Sequence, residues 1–304
     1  MIEELIKFWY RLFNKKKYHI LRNKMRDDKK KKLLTPEVIK LISDVNNSIQ
    51  NKTEINFSHS GHLGDLIYAL PLIQELSKTK KCNLYVKVNQ SYNGHYFKHP
   101  SGNIKISSRS YDMLLPLLRQ QNFLNKIEKF SDQKIDVDLD SFRALPISKQ
   151  FHSIRWYFHL TGIQADMTLP YLDVKPHEII KNKIIIVRTF RSRNMYVDYS
   201  FLKKYDNLLF IGTKEEYIDI KKSIPNLEYY DVKDFLEMAQ IIKACKFYIS
   251  NQTFSYALAE GLKVPRLLEA YPNFPVVFPI AGSGSDFYFQ THFEKLVENY
   301  NLNY

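Results

Sequence analysis

One short stretch constrains the fold of this chain more than any other feature. An apolar run, Ile55–Phe57, leads into the turn Ser58–Asp65 (SHSGHLGD). Apolar residues at helical spacing follow at Leu66, Leu70 and Ile73. A strand that turns on two glycines into a helix beginning at an aspartate is a βα unit, and in open α/β sheets ligands bind at such strand ends. The turn is therefore the first candidate site.

The same alternation of strand and helix continues along the chain and predicts parallel sheets. Further strands are predicted at Leu84–Val88, Ile135–Leu139, Ile184–Val187, Asn207–Ile211, Leu227–Tyr230, Phe247–Ser250 and Arg266–Glu269, and Ile104–Ser107 is another short apolar run. Ser283–Asn299 opens in a Gly-Ser turn and is predicted to be a terminal helix. Asp166–Lys183 combines two prolines with weak periodicity, which is typical of a linker.

These elements predict an α/β fold with two domains of ordinary size around a cleft, each with its own core. We place a basic amphipathic helical arm at residues 1–50, a first domain at 51–172 and a second domain at 173–285. The terminal helix, 286–304, is expected to pack back on the first domain.

The basic charge of the chain is concentrated in residues 1–32, called here the basic segment. It holds twelve Lys/Arg and four Asp/Glu, a net +8 of the whole chain's +13. Apolar residues recur in it at helical spacing, at Ile2, Leu5, Ile6, Trp9, Leu12 and Phe13. Two interpretations stay open: a helix on an anionic membrane surface, or a helix packed on its own domain with its charges in solvent. Nucleic acid is not expected as a partner, because the rest of the chain lacks the interleaved aromatic and basic motifs of RNA-binding modules.

Composition argues against several other classes of protein. No apolar run reaches the ~20 residues of a membrane span, and Lys and Arg interrupt the region where a cleavable signal would lie. Cys82 and Cys245 are far apart and are predicted to be buried free thiols, which fits a cytoplasmic protein at or near the inner face of the membrane. No Cys or His cluster has zinc-site spacing, so no metal is expected.

The turn Gly61–Asp65, followed by Ala69-Leu70-Pro71, resembles the N-terminal signature of glycosyltransferase family 9, the heptosyltransferase-like enzymes with the GT-B fold. The resemblance continues in order through Asp136–Asp140, Ile184–Arg188, Phe210–Thr213 and Ser250–Ala259. It implies two Rossmann-like domains facing a cleft. It also implies inverting, metal-independent transfer of a sugar from a nucleotide sugar, with no further cofactor, to a glycan or lipid-linked glycan, as in lipopolysaccharide biosynthesis.

In such a family member Asp65 would be the general base that deprotonates the acceptor hydroxyl. His62 and His59 are alternative bases, since histidine titrates near neutral pH. Four residues of the turn are expected to bind the acceptor: His59, Ser60, Gly61 and Gly64. An aspartate in a first helical turn also stabilises the helix dipole whatever the function, so the residue type alone does not decide.

The diphosphate of a donor needs positive charge or the amides of a helix N-terminus. The second half of the chain offers three arginines past a buried strand, a turn at a strand end, the start of a helix and an acid. These donor-binding candidates are Arg188, Arg191, Arg193, Gly212, Thr213, Thr253, Phe254, Ser255 and Glu260, with Glu269 as a second acid for a ribose or sugar hydroxyl. The chain departs from the family pattern at Asn251–Phe254, where many relatives have Asp-Thr-Gly.

Two other functions stay open. Asp136, Asp138 and Asp140 alternate along a predicted strand, and such a set can hold a divalent cation on donor phosphates, which would make the transferase metal-dependent. Alternatively they form a polar strand face, with Arg143 paired to one of the carboxylates. The Asn251 turn instead favours a non-catalytic module that binds a nucleotide sugar or glycan at a membrane surface.

Overall fold

The computed structural model describes residues 2–91 and 102–304, and its strands form two parallel sheets. The first sheet contains β1 (Glu54–His59), β2 (Lys81–Val86), β3 (Lys126–Lys129) and β4 (Val137–Asp138). Its order is β3-β2-β1-β4, and every pairing in it is parallel. The strand that precedes the candidate turn, β1, is therefore an interior strand.

Six later strands form the second sheet. They are β5 (Ile184–Val187), β6 (Leu208–Phe210), β7 (Glu228–Tyr229), β8 (Phe247–Ser250), β9 (Arg266–Glu269) and β10 (Gly284–Phe287). Their order is β10-β9-β8-β5-β6-β7, again with parallel pairings. All four residues of β5 are buried, as expected for a continuous β-branched run covered on both faces.

Ten α-helices surround these sheets in the described ranges. They are α1 (Ile2–Phe13), α2 (Lys15–Lys31), α3 (Pro36–Asn51), α4 (Leu63–Ser77), α5 (Ser108–Arg119), α6 (Ile154–Thr161), α7 (Lys214–Lys221), α8 (Phe235–Lys243), α9 (Phe254–Leu262) and α10 (Gln290–Asn303). Short 3-10 helices cover Leu139–Ala144 and Ser200–Lys204. Within 2–91 and 102–304, none of the helices is long and apolar enough to cross a membrane.

One apolar core joins the two sheets, which differs from the expectation of two separate cores. It contains Phe57 and Val86 from the first sheet and Ile185 and Leu268 from the second. Across the boundary, α4 packs against α9 and α5 packs against α8. The interface between the two halves is therefore made of apolar helix faces. The predicted boundary at 172/173 falls between the last strand of one sheet and the first strand of the other, and its position stays a prediction.

The terminal helix packs on the second sheet, so the expectation that it returns to the first domain is wrong. Phe293 and Val297 of α10 lie in a second core with Ile184 and Ile186. Ile185 lies in the other core, because successive strand residues point to opposite faces. β10 brings the chain to the edge of this sheet just before α10 begins, so the nearest apolar face for the helix belongs to the same sheet.

One segment differs locally from the prediction, and one short apolar run forms no regular element. The beginning of Ser283–Asn299 forms the edge strand β10, and the helix starts only at Gln290. Ile104–Ser107 forms no strand: Ile104 makes a single antiparallel bridge with Ser91, and Ser107 caps α5 by accepting a hydrogen bond from Ser110. The serine cap ends the extended stretch there, because it starts a helix at the next residue.

Candidate active site between the two sheets

The turn between β1 and α4 depends on a close approach that only glycine allows. β1 ends at His59 and α4 begins at Leu63, so an interior strand leads directly to a helix N-terminus. A Cβ placed on Gly61 would lie 2.6 Å from Cε1 of His59 and 3.0 Å from Oδ2 of Asp65. The absence of a side chain at Gly61 is therefore what lets the ring and the carboxylate lie against the same piece of backbone.

The His59 ring is fully buried and holds this turn in place. Its Nδ1 accepts a hydrogen bond from the Gly61 amide at 3.0 Å, so Nε2 carries the proton and donates to the Tyr157 hydroxyl at 2.9 Å. That hydroxyl donates in turn to the backbone carbonyl of Asp65 at 2.9 Å. Burial lowers the pKa of His59, which favours the neutral ring. His59 therefore positions Asp65, and its buried ring corrects the expectation that it binds an acceptor or acts as a base.

Asp65 lies in the first turn of α4 with its side chain 21% exposed. Its Oδ2 accepts a hydrogen bond from the His62 amide at 3.3 Å and lies 3.5 Å from the Arg143 guanidinium. Both contacts are long, so the carboxylate keeps capacity for another hydrogen bond. A carboxylate in this position can take the proton of a hydroxyl that docks at the turn.

Arg143 makes its closer ion pair with the neighbouring Asp140, which confirms that it pairs with one of the three alternating aspartates. Its guanidinium also stacks 4.5 Å from the centre of the Phe142 ring. Asp140 accepts a hydrogen bond from the Ser60 amide at 2.6 Å. Burial raises the pKa of Asp140, but His59, Ser60 and Arg143 together hold it below its usual value. Arg143 is thus engaged chiefly by Asp140 and neutralises Asp65 only in part.

The other two alternating aspartates have separate cationic partners. Asp136 pairs with Lys52 and accepts a hydrogen bond from the Asn56 amide at 2.9 Å. Oδ2 of Asp138 lies 2.8 Å from Nζ of Lys87. Each carboxylate is therefore balanced by its own side-chain cation. In the part of the chain that the structure describes, no three His, Cys, Asp or Glu side chains are grouped to hold a metal ion.

His62 is half-buried at the N-cap of α4 and lies among charges from both halves of the chain. Burial lowers its pKa, Asp65 acts in the opposite direction, and Arg191, Arg143 and Lys105 lower the pKa further. Arg191 belongs to the loop after β5 in the second sheet. A charge from the second half of the chain therefore acts on the turn of the first sheet.

Arg188, the first of the three arginines, is held in an internal ion pair. Its Nε and Nη2 lie 2.8 Å and 2.9 Å from the two carboxylate oxygens of Glu269, which is fully buried. The guanidinium also lies 4.4 Å from the centre of the Tyr199 ring. Such a bidentate pair fixes both partners. It gives Arg188 and Glu269 a structural role in place of the donor contacts expected for them.

The loop after β5 is held in shape by Asn251, whose side chain is fully buried. Oδ1 of Asn251 accepts a hydrogen bond from the Thr189 amide at 3.0 Å, and Nδ2 donates to the carbonyls of Thr189 and Arg191 at 3.1 Å and 2.6 Å. Arg193 donates to the Thr189 carbonyl at 2.8 Å and pairs with Asp219 at 2.8 Å. Of the three arginines, Arg191 is the one whose charge acts on His62.

The first turn of α9 lies opposite the first turn of α4. Thr253 caps α9: its Oγ1 accepts a hydrogen bond from the Tyr256 amide at 3.0 Å and contacts Oγ of Ser255 at 2.9 Å. A Cβ built on Gly64 would lie 3.8 Å from Cα of Phe254, so the two helix starts touch. Two helix N-termini, each with partial positive charge, therefore meet where the halves of the chain join, which favours an anionic ligand.

The turn after β6 lies beside the same loop. Thr213 is exposed at the N-cap of α7 and accepts a hydrogen bond from the Glu216 amide at 3.4 Å. A Cβ on Gly212 would lie 2.6 Å from the Phe210 ring, so this position also requires glycine. Glu216, which the sequence analysis did not single out, is buried; burial raises its pKa, while Thr213 and Arg191 act in the opposite direction.

Glu260 is fully buried, which corrects its expected role in binding a ribose or sugar hydroxyl. Its two carboxylate oxygens lie 2.7 Å from Nε of Arg266 and 2.5 Å from Nζ of Lys263. The Ile280 amide donates to the same carboxylate at 3.3 Å. A carboxylate that two buried cations and an amide already engage has a structural role in this half of the chain.

The structure brings together Asp65, His62, the Arg191 loop and the N-terminus of α9. Sequence analysis missed Tyr157 and Lys105. Tyr157 lies in a strongly aromatic run, in which nothing in the sequence separates a functional hydroxyl from core packing. Nζ of Lys105 lies 3.4 Å from Oγ of Ser60, but a single lysine inside the short run Ile104–Ser107 carries no signal of that contact.

No family model matches the chain, and no curated protein matches it either. Solved structures do match. The glycosyl transferase family 9 protein from Veillonella parvula is 11% identical, with a TM-score of 0.52 over 82% of this chain and 89% of that chain. The E. coli heptosyltransferase WaaC with ADP is 12% identical, with a TM-score of 0.55 over 81% and 99%. The E. coli ADP-heptose LPS heptosyltransferase II is 13% identical, with a TM-score of 0.56 over 82% and 98%.

At these identities the likeness is one of fold. The match extends over about four fifths of this chain and nearly the whole of the two E. coli proteins. It therefore includes both sheets and is not limited to a single βα unit. This confirms the α/β architecture that the resemblance implied. The chain has the two-sheet, GT-B-type fold of the family 9 glycosyltransferases.

Proposed function

We propose that this protein is an inverting, metal-independent glycosyltransferase that moves a sugar from a nucleotide sugar to a hydroxyl of a glycan or glycolipid. One observation carries the proposal: a partly exposed carboxylate, Asp65, lies at a helix start that touches the start of α9, and Asn251, just before α9, holds the Arg191 loop there. One side of this junction offers a base, and the other offers positive charge for a leaving diphosphate.

The reaction is a single displacement. The acceptor oxygen forms a bond to the anomeric carbon of the sugar from the face opposite the diphosphate. The bond between that carbon and the diphosphate oxygen breaks, and its electron pair leaves with the nucleoside diphosphate. Asp65 takes the proton of the acceptor hydroxyl. Arg191 and the backbone amides at Thr253–Ser255 stabilise the charge that develops on the diphosphate.

The two halves then divide the substrates. Ser60, Gly61, Gly64 and His62 line the acceptor side of the junction, and Tyr157 keeps Asp65 aimed at it. The donor lies on the second sheet, between the Arg191 loop, the α9 N-terminus and the Gly212-Thr213 turn. The related fold of an ADP complex and of an ADP-heptose transferase makes ADP-sugars the first donors to test.

The setting that we propose is the cytoplasmic side of a membrane. Both cysteines are free, and burial raises the pKa of each thiol to about 12, which suits a reducing compartment. The partners are a nucleotide sugar, a glycan or glycolipid acceptor and, through residues 1–32, an anionic membrane surface.

The proposal is tested by measuring binding and slow hydrolysis of a panel of nucleotide sugars, with and without EDTA. Asp65→Asn is expected to fold and to bind the donor as the wild type does, because its amide can still accept the His62 hydrogen bond. Its transfer rate is expected to fall by about 10²–10⁴-fold, the usual contribution of a general base.

Asp112→Asn is the matched control, because it removes an exposed carboxylate whose ion-pair partner among the described residues is Lys129, on the surface of the first half of the chain. It should keep the wild-type rate. Near-full activity of Asp65→Asn would contradict the assignment of the base, and loss of wild-type activity in EDTA would contradict metal independence. Donor binding without turnover, with every acceptor tried, would favour the non-catalytic module that the Asn251 turn suggested.

A further inference from the structure

The first helix of the chain exposes an apolar stripe that no described part of the protein covers. Its members follow the i, i+3, i+4, i+7, i+8 spacing of one helical face, and each is more than half exposed: Leu5, Phe8, Trp9, Leu12 and Phe13. Among the described side chains from residue 3 to residue 31, none is buried. Soluble proteins rarely leave such a contiguous patch in water unless it is a contact surface.

The next helix supplies charge of one sign. α2 contains nine Lys/Arg and two Asp/Glu; its last turn holds Lys29, Lys30 and Lys31, and Lys32 is its C-cap. It packs against α1 near their junction, where Nζ of Lys17 lies 5.7 Å from the centre of the Tyr10 ring. The apolar stripe is therefore followed directly by a strongly basic helix.

We infer that α1 and α2 form a two-part anchor for an anionic lipid bilayer: α1 inserts its apolar stripe at the level of the headgroups, and α2 binds the headgroup charges. Aromatic and leucine side chains beside clustered lysines are the composition that lies stably in a bilayer interface. This inference concerns lipid binding alone and does not depend on the proposed transfer reaction.

Charge decides between lipid and the other occupants of the stripe. A second copy of the chain would bring another segment of net +8 against the first, and like charges at that distance repel. Nucleic acid would neutralise the positive charge of α2 but would leave the phenylalanines and leucines of α1 exposed to water. An anionic bilayer satisfies both helices, because it offers negative headgroups above an apolar interior.

The test is co-sedimentation of the full chain with vesicles of phosphatidylcholine alone and of phosphatidylcholine mixed with phosphatidylglycerol. We expect binding to the mixed vesicles, weakening as salt is raised, and little binding to the neutral ones. Replacing the four lysines Lys29–Lys32 by Gln should weaken binding by roughly 600-fold, since each lysine near an anionic surface contributes about fivefold.

A matched pair of triple variants separates the stripe from apolar surface in general. Phe8→Ser, Trp9→Ser and Leu12→Ser together should abolish vesicle binding. Leu169→Ser, Ile179→Ser and Ile218→Ser, which remove three exposed apolar side chains elsewhere, should leave it unchanged. Donor binding should be the same in both triple variants, so a failure of the anchor is distinguishable from a failure of the proposed reaction.

Fluorescence reports insertion directly, because the chain has only two tryptophans and Trp156 is buried. The emission of the wild type should shift to shorter wavelength with mixed vesicles, and Trp9→Phe should show no shift. The inference is overturned if the folded chain ignores mixed vesicles or if the stripe variant still binds them. It is also overturned if the wild type does not bind vesicles but self-associates or binds RNA, and the stripe variant loses that self-association or RNA binding.

Discussion

A single buried histidine controls where the candidate base lies. The chain of hydrogen bonds from the Gly61 amide through His59 and Tyr157 to the Asp65 carbonyl has one consistent proton arrangement. It requires a neutral His59 with its proton on Nε2, and burial favours that state. The orientation of the first turn of α4 is therefore fixed by the buried side chains of His59 and Tyr157, which no substrate contacts.

Removal of the Tyr157 hydroxyl tests this arrangement. In Tyr157→Phe the Nε2–H of His59 is left buried without an acceptor, so we expect a loss of about 1–3 kcal/mol in the free energy of unfolding. Transfer should also slow, because the Asp65 backbone loses a hydrogen bond. Denaturant unfolding measures the first effect and initial rates measure the second.

Tyr68→Phe is the control for that variant. Tyr68 is as deeply buried, but its hydroxyl has no hydrogen-bond partner among the described residues. Its removal should leave stability nearly unchanged or slightly raised. Equal losses in the two variants would mean that tyrosine packing, and not the hydrogen-bond chain, explains the effect of Tyr157→Phe.

The sequence predicted the position of a residue correctly where a short turn determines it. The prediction failed where partners on other elements determine what a side chain contacts. The place of Asp65 in a first helical turn followed from local spacing alone. Arg188 and Glu260 looked equally suited to a ligand, yet each is paired inside the protein with a residue of another element: Arg188 with Glu269, far along the chain, and Glu260 on α9 with Arg266 on β9. A charged residue's partner is set by folding, so sequence cannot tell an internal ion pair from a binding group.

At the scale of elements, the site lies where the N-termini of α4 and α9 come into contact. The two glycines of the turn before α4, Gly61 and Gly64, have different structural roles there. A Cβ on Gly61 would overlap the His59 ring, whereas a Cβ on Gly64 would make ordinary contact with Phe254 at 3.8 Å. The first glycine allows the turn to form. The second only sets how closely α4 and α9 approach.

The two alanine variants should therefore behave in opposite ways. Gly61→Ala is expected to cost about 1–3 kcal/mol through overpacking and to slow transfer, because Asp65 must move. Gly64→Ala should fold normally and can gain up to about 1 kcal/mol from helix propensity. Thermal unfolding of both proteins decides this, and a stable, active Gly61→Ala would contradict the described turn.

Asn251 gives the second element-level prediction. Its amide both accepts from and donates to the loop after β5, which a carboxylate cannot do. Asn251→Asp would turn a negative oxygen toward two carbonyls, so we expect a loss of about 3 kcal/mol and weaker donor binding. The departure from the Asp-Thr-Gly pattern thus has a structural reason that sequence comparison alone does not supply.

Asn226→Asp is the matched control, because the exposed Asn226 side chain also donates to two carbonyls, of Lys203 and Tyr205. Water can replace those bonds, so its cost should stay below about 1 kcal/mol. Denaturant titration gives the stabilities, and calorimetric titration with the donor gives the affinities. A stable Asn251→Asp variant with unchanged donor affinity would contradict the assignment that Asn251 holds the loop after β5 in place.

The two strands that the sequence did not predict are polar edge strands, although the edge strands β4 and β7 were predicted. The interior strands β5 and β8, which are apolar or mainly apolar, were found, whereas β3 and β10 are mostly polar and were not. Both missed strands lie at the end of their sheet. An edge strand buries little, so its sequence needs no apolar alternation for the prediction to detect.

At the scale of the whole molecule, the continuous core predicts cooperative unfolding. Because α4 and α5 pack on α8 and α9 in the same apolar cluster, neither half keeps a complete core when the other unfolds. Scanning calorimetry should therefore show one transition instead of two. Two resolved transitions would mean that the halves are independent, as the sequence alone had suggested from the shared βα pattern.

The joint between the N-terminal helices and the rest of the chain has a kinetic consequence. α3 buries Val38, Val45 and Ile49 and packs on α6, the helix that carries Tyr157. A protein held at a bilayer through this joint searches for its acceptor in two dimensions. Its encounter rate with a lipid-borne acceptor is then set by the surface density of that acceptor, since tethering raises the effective concentration of a partner in the same plane.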